Sequence, residues 1–213
     1  MPVTALLDTD LAPKTVTHNL QIVPQTGWWA NAWATLGVWT PVRRCLKGHS
    51  QEASDAIYST LRQVAGMAND GEVTLCDSDE TFFESLYVKL PELRGTQFDM
   101  LRGVKRKLVH GPLCRTYVIG AGYSRHETND QWLQLLTAIR HPRFLELKKR
   151  TGGHHLADLY HVWTAEENFL DCFITLDTTF LRAVTLPKPL DTPVRLLTPM
   201  QFVQWIAAGR VRA

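Results

Sequence analysis

Apolar residues along the chain recur with two alternating periods, short continuous runs and three-to-four spacings, and the alternation predicts strands and helices in turn. Val3 to Leu7 is a brief apolar run that ends on Leu-Asp-Thr-Asp. It reads as a buried strand that delivers Asp8 to the rim of a sheet. Between residues 11 and 52 the pattern breaks around Pro13, Pro24, Pro41 and a tryptophan-rich piece, Gly27 to Trp39. Trp29 and Trp33 are four apart, the spacing of one helical face, and aromatic packing against the domain is a better reading of them than a base-stacking platform. From Ser54 the period is helical: Ile57, Leu61, Val64 and Ala68 on one face, Asp55, Ser59, Arg62 and Gln63 opposite, with Asn69-Asp-Gly closing the segment. A strand over Glu72 to Cys76 follows. Ser78 then caps a helix through Phe82, Phe83, Leu86 and Tyr87, which carries Glu84 about two turns inside it, and Pro91 ends it.

Residues 98 to 110 predict a basic amphipathic helix with Leu101, Val104 and Leu108 on its apolar face and Arg102, Lys105, Arg106 and Lys107 on its polar one. Cys114 to Ile119 is the next strand, and Gly120-Ala-Gly122 turns the chain. Trp132, Leu135, Leu136 and Ile139 give a helical stripe stopped by His141-Pro142, and Phe144 to Lys149 a short helix broken at Gly152-Gly153. The segment His154 to Glu167 has Leu156, Leu159, Val162 and Trp163 on one face. Cys172 to Leu176 is an apolar run ending in Asp177. Val194 to Leu197 reads as a strand, Thr198-Pro199 opens a final helix, and Gly209 lies just past its end. Strands and helices alternate throughout, which predicts an α/β fold, three-layer α/β/α with a central mainly parallel sheet, in one domain over residues 1–213.

Size and composition agree with a globular protein: 213 residues, 45% hydrophobic and 21% charged, enough for one sizeable core. No apolar run approaches the roughly 20 residues that cross a bilayer. Val3 to Leu7 is too brief for a secretory signal core, so a cytoplasmic location is expected, with no membrane partner. The four cysteines, Cys45, Cys76, Cys114 and Cys172, show no CxxC pairing. Cys76, Cys114 and Cys172 sit in apolar surroundings and read as core. Net charge is only +2, yet residues 101–150 hold 11 basic and 3 acidic side chains. Such a concentration of positive charge suits a polyanion, and equally a solvated helix face.

Asp8 and Asp177 end apolar strand runs, while Glu84 and Asp158 lie on helices that follow strand or turn signals. In parallel α/β sheets the ligand crevice lies outside the carboxyl ends of the strands, where such acids arrive. Four carboxylates gathered there require a cation, and Mg²⁺ or Mn²⁺ are the hard ions that take oxygen ligands.

The same residues resemble the PIN-domain nucleases. Leu-Leu-Asp8-Thr-Asp10 is similar to that family's opening strand and first acid, and Ser78-Asp-Glu-Thr-Phe-Phe-Glu84 to the stretch bearing its second. Asp158-Leu-Tyr-His161-Val-Trp-Thr-Ala165 resembles the helix with the third, and Phe173-Ile-Thr175-Leu-Asp177 the strand with the fourth. Val194 to Phe202 is similar to the closing strand and helix. The likeness is densest over residues 152–205. Asp10 stands where the family has Asn or Ser, and residues 11–52 and 94–150 are longer than in the compact toxin members.

The resemblance implies a PIN-like fold with insertions and a Mg²⁺- or Mn²⁺-dependent endoribonuclease, toxin-like or RNA-processing. Asp8, Glu84, Asp158 and Asp177 would be the metal ligands, Glu84 as ligand or general base, with Thr175 orienting the site. Arg102, Lys105, Arg106 and Lys107 would hold the RNA backbone, single-stranded or structured. An inhibitor protein of the antitoxin kind is the partner it brings with it, and the apolar surface of the tryptophan-rich insertion suits a homodimer or another partner contact. Three rivals accompany this reading. One is a catalytically silent PIN-like scaffold that binds RNA or protein. Another is a site for iron or zinc built from His154, Asp158 and His161 on one helical face. The third keeps the nuclease and makes DNA its substrate.

Overall fold

The computed structural model describes residues 2–29, 32–81, 97, 99–113 and 125–209. Glu84, the strand expected at Cys114 to Ile119 and the body of the helix expected after Ser78 lie outside these residues. Seven strands are present among those described: β1 (Val3–Leu7), β2 (His18–Trp29), β3 (Ala32–Arg43), β4 (Val73–Ser78), β5 (Arg106–Val109), β6 (Cys172–Ile174) and β7 (Arg195–Leu197). The helices are α1 (Gln51–Asn69), α2 (Arg125–Ala138), α3 (Pro142–Arg150), α4 (Leu156–Glu167), α5 (Thr178–Thr185) and α6 (Pro199–Ala207), with a 3₁₀ helix over Thr9–Thr15.

Five strands form one sheet in the order β5-β4-β1-β6-β7, every neighbouring pair parallel. The expected α/β sheet is therefore observed. Helices cover both faces because the strand residues alternate between two cores. Leu6, Cys76 and Phe173 face α2 to α5, where Phe144, Tyr160, Trp163 and Phe180 fill the layer. Ala5, Leu7, Leu75 and Ile174 face the other way, against Leu61, Val64 and Ala65 of α1 and Phe202 of α6. Burial on both faces explains why β1 and β6 are continuous apolar runs rather than alternating ones. Cys76 and Cys172 are core residues, as expected, and Cys45 is exposed. Burial pushes the Cys76 thiol up to about 11, and that of Cys172 upward as well.

Three expectations need correction. The tryptophan-rich stretch is no helix: it is the tip of a β2–β3 antiparallel hairpin in which Trp28 is opposite Trp33 and Ile22 opposite Trp39. A four-residue spacing there joins two paired strands instead of marking one helical step. The segment 98–110 is not a basic helix either. Asp99 accepts from the Leu101 N–H and the Thr15 hydroxyl, Gly103 adopts φ 76°, and the chain then extends as β5 along the free edge of β4. Leu101 and Val104 are buried as the periodicity suggested, but Leu108 is exposed on the edge strand. Edge pairing with β4 outweighed a weak helical pattern that Gly103 interrupts. Finally, α5 was not foreseen. Its signal is Asp177 itself, an N-cap whose Oδ1 accepts from the Thr179 and Phe180 N–H groups, ahead of apolar Phe180, Leu181 and Val184.

Other boundaries follow local chemistry. Ser50 caps α1 through the Ala53 N–H, four residues earlier than the start expected at Ser54. Ser78 does act as a cap, accepting from the Thr81 N–H where residues 79–81 turn helical. Thr198 and Gln201 form a reciprocal capping box at α6, with Pro199 in its first turn. No helix among the described residues is long and apolar enough to cross a membrane.

Candidate metal centre at the carboxyl ends of the strands

The sheet order places a switch point at β1. From it the chain builds outward through β4 and β5, then returns to the other side for β6 and β7. Crevices outside the carboxyl ends of strands at such a point are where ligands bind in open α/β sheets. Asp8 directly follows β1, and Thr175, Leu176 and Asp177 directly follow β6. The backbone ladder continues past the strand ends, because the Asp8 N–H donates to the Ile174 carbonyl and the Thr175 N–H to the Leu197 carbonyl. These main-chain bonds fix the two segments side by side.

Thr175 is fully buried and links two acids. Its hydroxyl donates to Asp8 Oδ2 at 2.5 Å and accepts from the Asp177 N–H at 2.9 Å. A carboxylate only 7% exposed needs such donors, since a buried charge without them is strongly disfavoured. The orienting role expected for Thr175 thus has a definite geometry.

Asp177 uses its two oxygens differently. Oδ1 caps α5, while Oδ2 lies 3.8 Å from Nδ1 of His155. The same nitrogen is 3.6 Å from Asp158 Oδ2. One ligand atom from each of His155, Asp158 and Asp177 falls within 4.8 Å of the other two, and all three side chains are half-buried. The His155 contacts are too long for direct hydrogen bonds but within ion-pair reach. The α4 helix supplies Asp158 from its first turn, and its own start supplies His155.

His155 occupies the N-cap position of α4 in the left-handed region, φ 57° and ψ 38°, with no side-chain capping bond. That backbone costs a β-carbon-bearing residue roughly 1–2 kcal/mol. Gly152 and Gly153, both at positive φ, bring the chain round to it. The Phe180 ring packs at 5.7 Å and holds the imidazole on the inner side.

Sequence reasoning missed His155 because it counted helical spacing from His154. The helix begins at Leu156, so His154 is off it and exposed. His161 points the other way, 1% exposed and stacked on Phe173, which bears out its packing role and breaks up the His154–Asp158–His161 set. The usable signal was the i, i+3 spacing of His155 and Asp158 across a helix start.

Asp158 and Asp177 are thus brought together with His155, while Asp8, expected as a fourth ligand with Glu84, lies outside that group and is tied to the rim through Thr175; the four basic residues are not placed with them. Arg102 and Lys105 precede β5, toward the amino ends of the parallel strands, and Lys107 lies on that edge strand. Arg106 is paired with Asp77 at 2.7 Å. Glu80, just beyond β4, is 1% exposed, and its carboxylate lies so close over Gly111 that a β-carbon there would collide with it. Compared with family models, with curated proteins and with solved structures, the chain has no match.

Proposed function

We propose that this protein is a divalent-metal-dependent phosphodiester hydrolase, an endoribonuclease, working at the rim formed by Asp8, His155, Asp158, Thr175 and Asp177. The observation that carries the reading is the convergence of Asp158, Asp177 and His155 at the carboxyl end of the switch-point strands, beside the hydrogen-bonded Asp8. The RNA specificity and the role of Glu84 as ligand or general base come from the PIN-domain resemblance.

The donor set fits a divalent cation of intermediate hardness. Two carboxylate oxygens suit Mg²⁺ or Mn²⁺, and an imidazole nitrogen beside them favours Mn²⁺, which accepts nitrogen more readily. Such an ion, when bound, neutralises charge gathering on the phosphate and makes water a better nucleophile. The protein's own residues do the rest. Asp158 Oδ2, Asp177 Oδ2 and His155 Nδ1 would hold the ion. Asp8 is fixed by Thr175 beside them, where its carboxylate orients water at the scissile phosphate or accepts its proton.

The deciding experiment is cleavage of labelled single-stranded RNAs and DNAs in Mn²⁺, Mg²⁺ or EDTA by wild type and Asp177→Asn. Asparagine is as good an N-cap as aspartate, so α5 keeps its start while the cluster loses a charge. The expected result is metal-dependent cleavage of RNA, reduced in the variant by more than the roughly 10–100-fold typical of losing an outer-shell partner of a metal. Asp177→Ala should lose the cap as well, at a further cost of about 1 kcal/mol in stability. No cleavage in any metal, or cleavage that Asp177→Asn performs as well as wild type, rules out the hydrolase at this site and leaves a binding scaffold, and cleavage that survives EDTA rules out its metal dependence.

A further inference from the structure

A second feature adjoins the acidic rim. A cleft of about 360 Å³ opens beside Asp177, with Leu176 and Thr178, its two chain neighbours, both in the wall. The cationic side chains of the cleft are Lys14 from the 3₁₀ helix and Arg44 and Lys47 from the segment joining β3 to α1, where His49 also lines it. No Asp or Glu is among its lining residues that the structure describes. Leu46, Ile57, Leu176 and Met200 give it an apolar floor beside the hydroxyl residues Thr60 and Thr178, and the start of α6 at Thr198 and Pro199 closes one side. In sequence these basic groups are scattered through a stretch whose charge is otherwise unremarkable, so only the fold gathers them.

We propose that this cleft is the single-strand RNA site: Lys14, Arg44 and Lys47 hold the backbone phosphates next to the scissile one, and the apolar floor takes the face of one unstacked base. The proposal rests on the hydrolase reading for its choice of ligand. Four observations support it. Its charge is of one sign, which is what a phosphodiester chain requires. The positive end of the α6 dipole adds to that field. Its volume is near the low end of the roughly 300–1,000 Å³ of small-molecule sites, room for one nucleotide unit and far too little for a duplex. Leu176 and Thr178 of its wall flank Asp177 in the chain, so the cleft opens on the same rim of the sheet as the candidate metal centre. The basic residues of β5 have no such position.

The test is fluorescence anisotropy of a labelled single-stranded oligouridylate in EDTA, where nothing is cleaved, over a series of KCl concentrations. Lys14→Ala/Arg44→Ala/Lys47→Ala removes three phosphate contacts. At about 0.7 per contact for single strands, the slope of log affinity against log salt should fall by about 2, with affinity at low salt at least tenfold weaker. Lys47→Glu, at an exposed position, should weaken binding by itself and covers the case that the triple variant does not fold. Lys105→Ala/Lys107→Ala should bind as wild type does. Unchanged affinity and slope in the cleft variants, loss in the β5 variant, or equal binding of a blunt duplex RNA overturns the proposal. Cleft-dependent binding without cleavage in any metal supports the site and removes the hydrolase. Asp177-dependent cleavage by cleft variants that bind normally does the reverse.

Discussion

Replacing Thr175 by valine changes almost nothing in shape and removes the hydroxyl that joins Asp8 to Asp177. The bond to Asp8 Oδ2, 2.5 Å in a fully buried setting, is charge-assisted. Losing such a bond costs about 1.5–3 kcal/mol, and the Asp177 N–H left without its 2.9 Å acceptor adds about 1 kcal/mol. A total near 3 kcal/mol corresponds, at roughly 2–4 °C per kcal/mol for a chain of this size, to a fall in Tm of about 6–12 °C. Thr175→Ser keeps the hydroxyl and loses one methyl, worth about 1 kcal/mol, so its fall should be about a third as large. Both are measured by thermal and urea unfolding in EDTA and then with Mn²⁺. With Mn²⁺ the valine variant should also gain less stability than wild type, because Asp8 and Asp177 are no longer held in register. A valine variant that melts within a degree of wild type, or a serine variant that falls as far as valine, refutes the account of Thr175 as the tie between the acids.

His155→Gly should relieve the left-handed backbone while deleting the imidazole; strain relief is offset by the added chain entropy and the lost contact with Phe180, leaving stability in EDTA within about 1 kcal/mol of wild type. Calorimetric titration should show its Mn²⁺ affinity reduced more than its Mg²⁺ affinity, and an equal loss for both ions would remove His155 from the ligand set. At the other side of the rim, the exposed His110 ring bonds to Asp79 Oδ2 at 2.7 Å; that hydrogen bond, and then the carboxylate's charge, raise its pKa above the usual 6.5. The folded value being the higher, this pair stabilises the fold fully below 6.5 and the contribution is lost as pH rises through the raised value. In an NMR titration Asp79→Asn should return the His110 midpoint to the ordinary range, and a midpoint that does not move would place the cause elsewhere.

Much of this architecture was legible in the sequence because it depends on local pattern. Apolar runs at residues 3–7 and 172–176 marked the central strands, since a parallel strand covered on both faces has no polar side to show. Caps and breakers fixed helix ends at Asn69-Asp-Gly, His141-Pro142, Gly152-Gly153 and Thr198-Pro199. Asp8 and Asp177 stood out for the same reason, as the first polar residues after those runs, whereas Asp158 had no such local mark and drew attention only through the joint pattern with Thr175, Asp177 and Thr198-Pro199.

What the tertiary structure decided is where segments distant in sequence meet. The period over residues 98–110 lost to the open edge of β4, and a four-residue spacing of tryptophans fell across two paired antiparallel strands. His155 entered the acidic cluster through one left-handed residue, a backbone choice that no side-chain period records. The cleft basic residues come from a 3₁₀ helix and a loop some thirty positions apart, joined only when α1 and α6 pack on the same face of the sheet. Local hydrophobic pattern sets which face of an element is buried, and so the elements could be read from the chain. A binding site is made of the polar residues left at the rims, and their neighbours are set by strand order, which the pattern within any one strand does not encode.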